Sequence, residues 1–135
     1  MERLKYLIDT NVFLELLLGQ KKALDVRQFF RKVESVNISL SDFSLHSIGI
    51  ILLKLKKGKS FTDFIDDLIL TGGVQILSLY PEDMLKLIEV AKRYGLDFDD
   101  AYQYIVAEKF SLKIVSFDVD FDKTEKGRQE PVALL

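Results

Sequence analysis

The sequence predicts an α/β fold in which a mostly parallel sheet is covered by helices on both faces. The strand candidates are short, nearly continuous apolar runs, which are typical of strands buried on both faces. The segments between them carry apolar residues at helical spacing, and strands that alternate with helices favour a parallel sheet. With 135 residues, 48% of them hydrophobic, the chain is long enough to bury such a core, and we expect residues 1–135 to form a single domain.

The first half of the chain alternates between strand and helix candidates. Asp9-Thr10-Asn11 follows an apolar run with residue types that begin helices, and Ser41-Asp42 does the same after a second run. Gly58 is expected to end the helix after Ser41-Asp42, because glycine is common just beyond a helix end. The predicted elements are, in order, a strand at 4–8, a helix carrying Leu14, Leu17 and Leu18, a helix at 23–33, a strand at 36–40 and a helix at 43–57.

The second half continues the alternation. Apolar residues from Phe61 to Ile69 recur at i, i+3, i+4, i+7 and i+8, which predicts a helix that packs in the core or in a dimer interface. Pro81 is suited to the first position of the next helix, since it has no backbone N–H to leave unpaired. The predicted elements are a helix at 61–70, a strand at 74–79, a helix from Pro81, a helix from Asp97–Asp100 to about 110, a strand at 113–117 and an edge strand at 131–135.

Composition excludes several classes of protein. Nineteen basic residues against 21 acidic ones give a net charge of −2, unlike a protein that coats nucleic acid. The absence of cysteine excludes disulfides and thiolate metal sites, and one histidine is too few for a multi-histidine site or a Ser-His-Asp triad. No apolar run reaches the roughly 18 residues of a membrane span, and the N-terminus turns acidic too soon for a signal peptide. We therefore expect a cytoplasmic protein.

Acidic residues follow the predicted strands or begin helices at one edge of the sheet. Asp9 follows the first strand, Asp118 and Asp120 follow the fourth, and Asp99 and Asp100 begin the helix before the fourth. Each could simply cap a helix, since Asp is a favoured N-cap residue. Parallel α/β sheets bind ligands at this edge. Acids at three such positions therefore indicate a ligand-binding site rather than three separate helix caps.

A cluster of carboxylates stays ionised at neutral pH only if a cation compensates the repulsion. Oxygen ligands without cysteine or several histidines select hard cations such as Mg²⁺ or Mn²⁺. Such ions generate a hydroxide nucleophile and neutralise charge on a phosphoryl group, so the chemistry fits hydrolysis of phosphodiester bonds.

Three segments together resemble the PIN-domain family, which includes the VapC-type toxin ribonucleases. They are Leu7–Asn11, Leu96–Ala101 and Ile114–Phe121, and their order and spacing cover nearly the whole chain. The resemblance implies a three-layer α/β/α fold with a central sheet of four or five strands. It also implies cleavage of RNA with Mg²⁺ or Mn²⁺, and a small antitoxin protein as a partner. We further expect a homodimer.

The resemblance also implies roles for individual residues. It makes Asp9, Asp100 and Asp118 the catalytic, metal-ligating acids and Asp120 an additional metal ligand. It makes Asn11 and Ser116 supporting residues that contact or orient these acids.

One expected acid is missing. The family carries a glutamate on the helix after the second strand, and the register puts Ser47 at that position. Asp42 and His46 lie close by in sequence, but helical geometry turns them about 140° and 100° away from Ser47. Neither residue is a direct substitute for the glutamate. Asp42, His46 and Ser47 are nevertheless the candidates nearest to the position of the missing acid.

Two other functions compete with the ribonuclease. The missing acid favours a catalytically impaired PIN-like domain that binds RNA or a protein. A receiver-like signalling domain would need a pair of acids after the first strand and an aspartate after the third, whereas Asp9 stands alone and 74–79 leads into Tyr80-Pro81. The basic cluster of Lys54, Lys56, Lys57 and Lys59 either complements a helix dipole or guides phosphates.

Overall fold

A computed structural model describes residues 3–135 of the chain. Four strands and six α-helices form its framework, supplemented by short 3₁₀ and π-helical segments. In chain order they are β1 Tyr6–Ile8, α1 Thr10–Leu17, α2 Ala23–Lys32, β2 Ile38–Ser41, α3 Asp42–Lys54, α4 Gly58–Phe64, β3 Gln75–Leu77, α5 Asp83–Tyr94, α6 Phe98–Lys109 and β4 Lys113–Val115.

The four strands form one sheet in the order β3-β2-β1-β4, and every pairing is parallel. Leu7 lies opposite Ser39 on one side and opposite Ile114 on the other, so β1 is central. Ile8 and Val115, the last residues of β1 and β4, are register partners. The segments that follow these two strands therefore begin side by side at the carboxyl edge of the sheet.

Apolar side chains cover both faces of the sheet. Leu7 and Ile114 belong to a buried cluster with residues of α5 and α6, whereas Ile8 and Val115 belong to a second cluster with residues of α1 to α4. This division follows from the alternation of side chains along a strand. It confirms the predicted three-layer α/β/α fold with a parallel sheet. None of the helices within residues 3–135 has the length and apolar character of a bilayer-crossing helix.

The predicted edge strand at 131–135 is wrong. Pro131–Leu134 is a 3₁₀ helix, and the chain meets the sheet earlier, through a single parallel bridge between Gln129 and Val115. The N–H of Gln129 donates to the carbonyl of Ile114. Two residues later Pro131 has no N–H with which to extend the pairing, so the strand stops.

The end of α3 also differs from its prediction. The helix ends at Lys54, and Lys56, not Gly58, adopts the left-handed conformation with φ of 59°. The N–H of Lys57 then donates to the carbonyl of Leu52, the long-range bond that closes a helix with a left-handed residue. Gly58 instead begins α4, which continues as a π-helical segment over Ile65–Thr71.

Candidate functional site

A cleft of about 250 Å³ opens at the carboxyl edge of the sheet. Its walls come from the residues after β1, from α3, from the start of α6 and from the segment after β4. It is lined by Asp9, Thr10, Asn11, Leu14, Phe43, Ser47, Ile51, Asp99, Asp100, Gln103 and Asp118. The fold therefore brings together the acids of three separate sequence segments.

Asp9 is buried at the base of this cleft and caps the N-terminus of α1. One carboxylate oxygen, Oδ1, accepts hydrogen bonds from the backbone N–H of Thr10 at 2.8 Å and from Gln103 Nε2 at 2.9 Å. The other, Oδ2, accepts from the hydroxyl of Ser116 at 2.7 Å. Burial raises the pKa of Asp9, the charge of Asp118 adds to that rise, and the three donors oppose it.

Asp100, Asp118 and Asp120 form the acidic cluster of the site. Each contributes a carboxylate oxygen to a group whose members lie within 4.8 Å of one another. Asp100 lies in the first turn of α6, while Asp118 and Asp120 begin the 3₁₀ turn after β4. The carboxylate of Asp118 accepts from the backbone N–H of Asp120 at 2.9 Å, which orients both residues.

Among the described residues 3–135, no basic side chain forms a salt bridge with Asp9 or with the acids of the cluster. Burial raises the pKa of Asp100 to about 8, with further contributions from the charges of Asp118, Asp99 and Asp9. Near neutral pH the cluster must therefore either retain a proton or bind a cation.

Asn11 and Ser116 connect the segments after β1 and β4. Asn11 Oδ1 accepts from the backbone N–H of Phe117 at 3.2 Å, and its Nδ2 donates to Ser116 Oγ at 3.4 Å. The Ser116 hydroxyl also accepts from the backbone N–H of Asp118 at 2.9 Å while it donates to Asp9. This buried hydroxyl therefore fixes the position of Asp9 relative to the backbone of Asp118.

The three residues considered for the vacated acid position lie in different places. Ser47 lines the cleft. His46 faces an apolar groove between α3 and α4 with Gly49 and Phe61. Asp42 Oδ1 accepts from the hydroxyl of Tyr102 at 2.8 Å and from the backbone N–H of Phe43 at 2.8 Å, which ties it to α6 outside the cleft lining.

Gln103 is a site residue that the sequence analysis did not identify. Its Nε2 donates to Asp9 Oδ1 and, at 2.7 Å, to Ser44 Oγ, which is also hydrogen-bonded to the hydroxyl of Thr10. Gln103 is 2% exposed, and its Oε1 is buried without a hydrogen-bond partner. It follows Asp100 by three residues on α6, a spacing that places both side chains on one helix face and could have drawn attention to it.

The donor set suits a hard divalent cation. All the candidate ligands are carboxylate oxygens, the type that Mg²⁺ and Mn²⁺ prefer, and their mutual repulsion would be relieved by positive charge. Asp100, Asp118 and Asp120 already lie close enough to share one ion. The hydrogen bonds to Asp9 resemble the outer contacts that orient the ligands of metal sites.

A profile of the PIN domain matches residues 6–127. The chain belongs to the PIN-domain family. The match includes the carboxylates of the cleft and all four strands. A search of curated proteins finds no significant match.

Several solved structures have the same fold as this chain. A toxin–antitoxin complex from Klebsiella pneumoniae gives a TM-score of 0.74 at 14% identity, over 94% of this chain and 98% of the other. VapC20 of Mycobacterium tuberculosis, a toxin that cleaves the sarcin–ricin loop, gives a TM-score of 0.74 at 17% identity. The alignment covers 87% of this chain and 93% of VapC20. FitAcB of Neisseria gonorrhoeae gives a TM-score of 0.70 at 20% identity, over 93% of this chain and 97% of the other.

We expect Asp100→Asn to stabilise the protein in metal-free buffer. A carboxyl whose pKa is raised on folding contributes most stability below its unfolded pKa of 3.8 and loses it as the pH rises towards the folded value of about 8. The free energy of unfolding of the parent should therefore decrease as the pH rises over this range. The free energy of unfolding of the variant should decrease less. At pH 8 the variant should gain about 1 kcal/mol or more, since one pKa unit corresponds to about 1.4 kcal/mol. Urea denaturation at several pH values measures this; parallel pH profiles would contradict it.

We expect Gln103→Leu to weaken binding of Mn²⁺ by about 10- to 100-fold, the usual cost of losing an outer contact to a metal ligand. The variant removes the Nε2 donor that fixes Asp9. Gln129→Leu is the matched control, because Gln129 also has a buried Oε1 without a partner but lies outside the cleft lining. Calorimetric titration with Mn²⁺ compares the two. Equal affinities in both variants would show that Gln103 does not orient the site.

Proposed function

We propose that this chain is a divalent-metal-dependent ribonuclease that hydrolyses RNA phosphodiester bonds. The observation that carries the proposal is the group of Asp100, Asp118 and Asp120 carboxylates within 4.8 Å, in the same cleft as buried Asp9. No lysine or arginine within residues 3–135 forms a salt bridge with these acids. Such a group has the charge and ligand type of a Mg²⁺ or Mn²⁺ site. Membership in the PIN-domain family supports the same reaction.

In this proposal each acid has a defined task. Asp9, Asp100 and Asp118 are the catalytic acids that hold the cation, and Asp120 adds a ligand from the exposed side. The cation would lower the pKa of a water molecule and neutralise charge on the phosphoryl group. Asn11 and Ser116 keep the acids after β1 and β4 in register, and Gln103 restrains Asp9. Because the site opens at the sheet edge, an RNA strand could enter it without unfolding any element.

Ser47 distinguishes this site from one with a full set of acids. It lines the cleft, and the sequence register with the PIN-domain family puts it where that family carries glutamate. In this proposal the site therefore holds one negative charge fewer. Affinity of hard-cation sites depends on the number and charge of their ligands, so we infer weaker metal binding. This same observation supports the second candidate function, a catalytically impaired domain that binds RNA or a protein.

RNA cleavage with and without Mn²⁺ separates the two functions. We expect the parent to cleave single-stranded RNA only when Mn²⁺ or Mg²⁺ is present, and Asp118→Asn to reduce the rate at least 100-fold, the scale of a lost electrostatic contribution. Asp66→Asn, an exposed acid of the π-helical segment, is the control and should retain full activity. RNA binding without cleavage at any Mn²⁺ concentration would favour the impaired domain.

Restoring the missing acid should strengthen the site. We expect Ser47→Glu to bind Mn²⁺ at least about tenfold more tightly and to cleave RNA faster, because the new carboxylate adds a ligand and a charge. His46→Glu is the matched control, since it adds the same charge one residue away but faces the groove between α3 and α4. A variant that is destabilised by several kcal/mol with unchanged affinity would show that residue 47 cannot reach the ion.

We further propose that the ribonuclease is the toxin of a toxin–antitoxin pair and that it forms a homodimer. The similarity to a toxin–antitoxin complex from Klebsiella pneumoniae supports an antitoxin as partner. Exposed apolar residues on α3, including Ile50 and Leu53, offer surface for contact with another chain. A small protein encoded next to this chain that suppresses its RNase activity would be the partner expected.

A further inference from the structure

Three aromatic rings lie together beside the carboxylate cleft. Phe43 comes from the first turn of α3, and Phe98 and Tyr102 come from the first two turns of α6. The ring centroid of Phe43 is 6.1 Å from that of Phe98 and 5.4 Å from that of Tyr102, and the two rings of α6 are 6.3 Å apart. Phe43 lines the cleft itself, and Phe98 directly precedes Asp99 and Asp100.

The three rings differ in exposure and in restraint. Tyr102 is buried, and its hydroxyl donates to Asp42 and accepts from the backbone N–H of Leu79 at 3.0 Å. Phe43 is half-buried and packs between Tyr102 and Phe98. Phe98 remains 49% exposed. The two more buried rings therefore support one partly solvated ring, that of Phe98, which lies beside Phe43 of the cleft lining.

A basic side chain lies at the other end of the same wall. Phe43, Ser47 and Ile51 line the cleft at four-residue intervals along α3. Lys54 follows Ile51 by three residues, so it extends the same helix face beyond the cleft. Lys54 is exposed, and among residues 3–135 it forms no salt bridge. Eleven residues of helix separate Phe43 from Lys54, which corresponds to about 16 Å.

The ligand that matches this wall carries flat apolar groups and negative charges on one flexible chain. Single-stranded nucleic acid has this chemistry, because bases stack on aromatic side chains while phosphates pair with lysine. A duplex would not fit as well, since its bases already stack on each other. An apolar protein segment would match the exposed ring, but it would not account for a lysine at the far end of a cleft suited to a phosphodiester.

We propose that Phe98, supported by Phe43, stacks against an unpaired RNA base next to the cleaved phosphodiester, and that Lys54 binds a phosphate on the other side of the cleft. Together they form a track for single-stranded RNA along α3. The inference rests on the proposed ribonuclease function for its substrate class. It adds the residues that would bind a base and a phosphate beside the cleaved bond.

Binding of fluorescent RNA tests the aromatic part of the track. The probe is a random-sequence single-stranded oligoribonucleotide of about ten nucleotides with a central 2-aminopurine, whose fluorescence falls when the base stacks. Stopped-flow mixing with the full chain in Mn²⁺ records binding before turnover. Phe98→Leu, which keeps an apolar side chain for folding, should weaken binding about tenfold and reduce the quenching, whereas Phe98→Tyr should preserve both. Leu85→Ala, at a 78% exposed position of α5, is the control.

The salt dependence of the same binding tests the lysine. Lys54→Met should weaken binding and lower the slope of log affinity against log salt by about one, the value for one lost phosphate contact. Lys92→Met, an exposed lysine of α5, should leave the slope unchanged. Equal slopes in both variants would remove Lys54 from the track.

The outcomes distinguish this inference from the proposed function. RNA cleavage with equal RNA affinity in Phe98→Leu and Leu85→Ala would overturn the track and leave the ribonuclease intact. Loss of base quenching in Phe98→Leu, in a chain that never cleaves RNA, would support the track and contradict the ribonuclease. If sedimentation shows that Phe98→Leu dissociates a dimer while RNA binding is unchanged, the ring belongs to a protein interface and the track is wrong.

Discussion

Repulsion among carboxylates that the fold forces together is the constraint on which this site depends. The parallel pairing of β1 with β4 places Ile8 opposite Val115, so Asp9 and the segment of Asp118 must emerge side by side. The first turn of α6 adds Asp100 to the same cleft. Burial raises the pKa of Asp100 to about 8 by disfavouring its charged form, and the charges of Asp118, Asp99 and Asp9 add to that rise.

The surrounding residues reduce that repulsion without removing it. Thr10, Ser116 and Gln103 each donate a hydrogen bond to Asp9, which favours its ionised form. These neutral donors cannot supply the positive charge that the acids together require. The polar network therefore keeps the acids oriented and leaves the remaining charge to be balanced by a proton or a cation.

Serine at position 47 changes this balance in two opposite ways. One carboxylate fewer reduces the repulsion in the metal-free protein and lowers the cost of folding the acidic cleft. The same loss reduces the attraction for a divalent ion. In the proposed site, a serine at this position therefore lowers the affinity for metal and raises the stability of the metal-free protein.

The sequence predicts the parts of the fold that depend on local patterns. Apolar runs and capping residues locate β1 and the start of α1, and the acids after the first and fourth strands indicate a site at the carboxyl edge of the sheet. The strand predicted at 131–135 fails because pairing with β4 ends at Gln129, before a proline that has no N–H to donate. Gln103 was missed because its partners Asp9 and Ser44 lie 94 and 59 positions away in sequence, and such contacts exist only after folding.

The proposed reaction requires the acids of the cleft to hold a divalent cation. Anomalous diffraction from crystals soaked in Mn²⁺ locates the metal independently of activity. We expect a manganese peak in the cleft, about 2–2.5 Å from carboxylate oxygens of Asp100 and Asp118. A cleft without a manganese peak at saturating Mn²⁺ would show that these acids do not hold the ion.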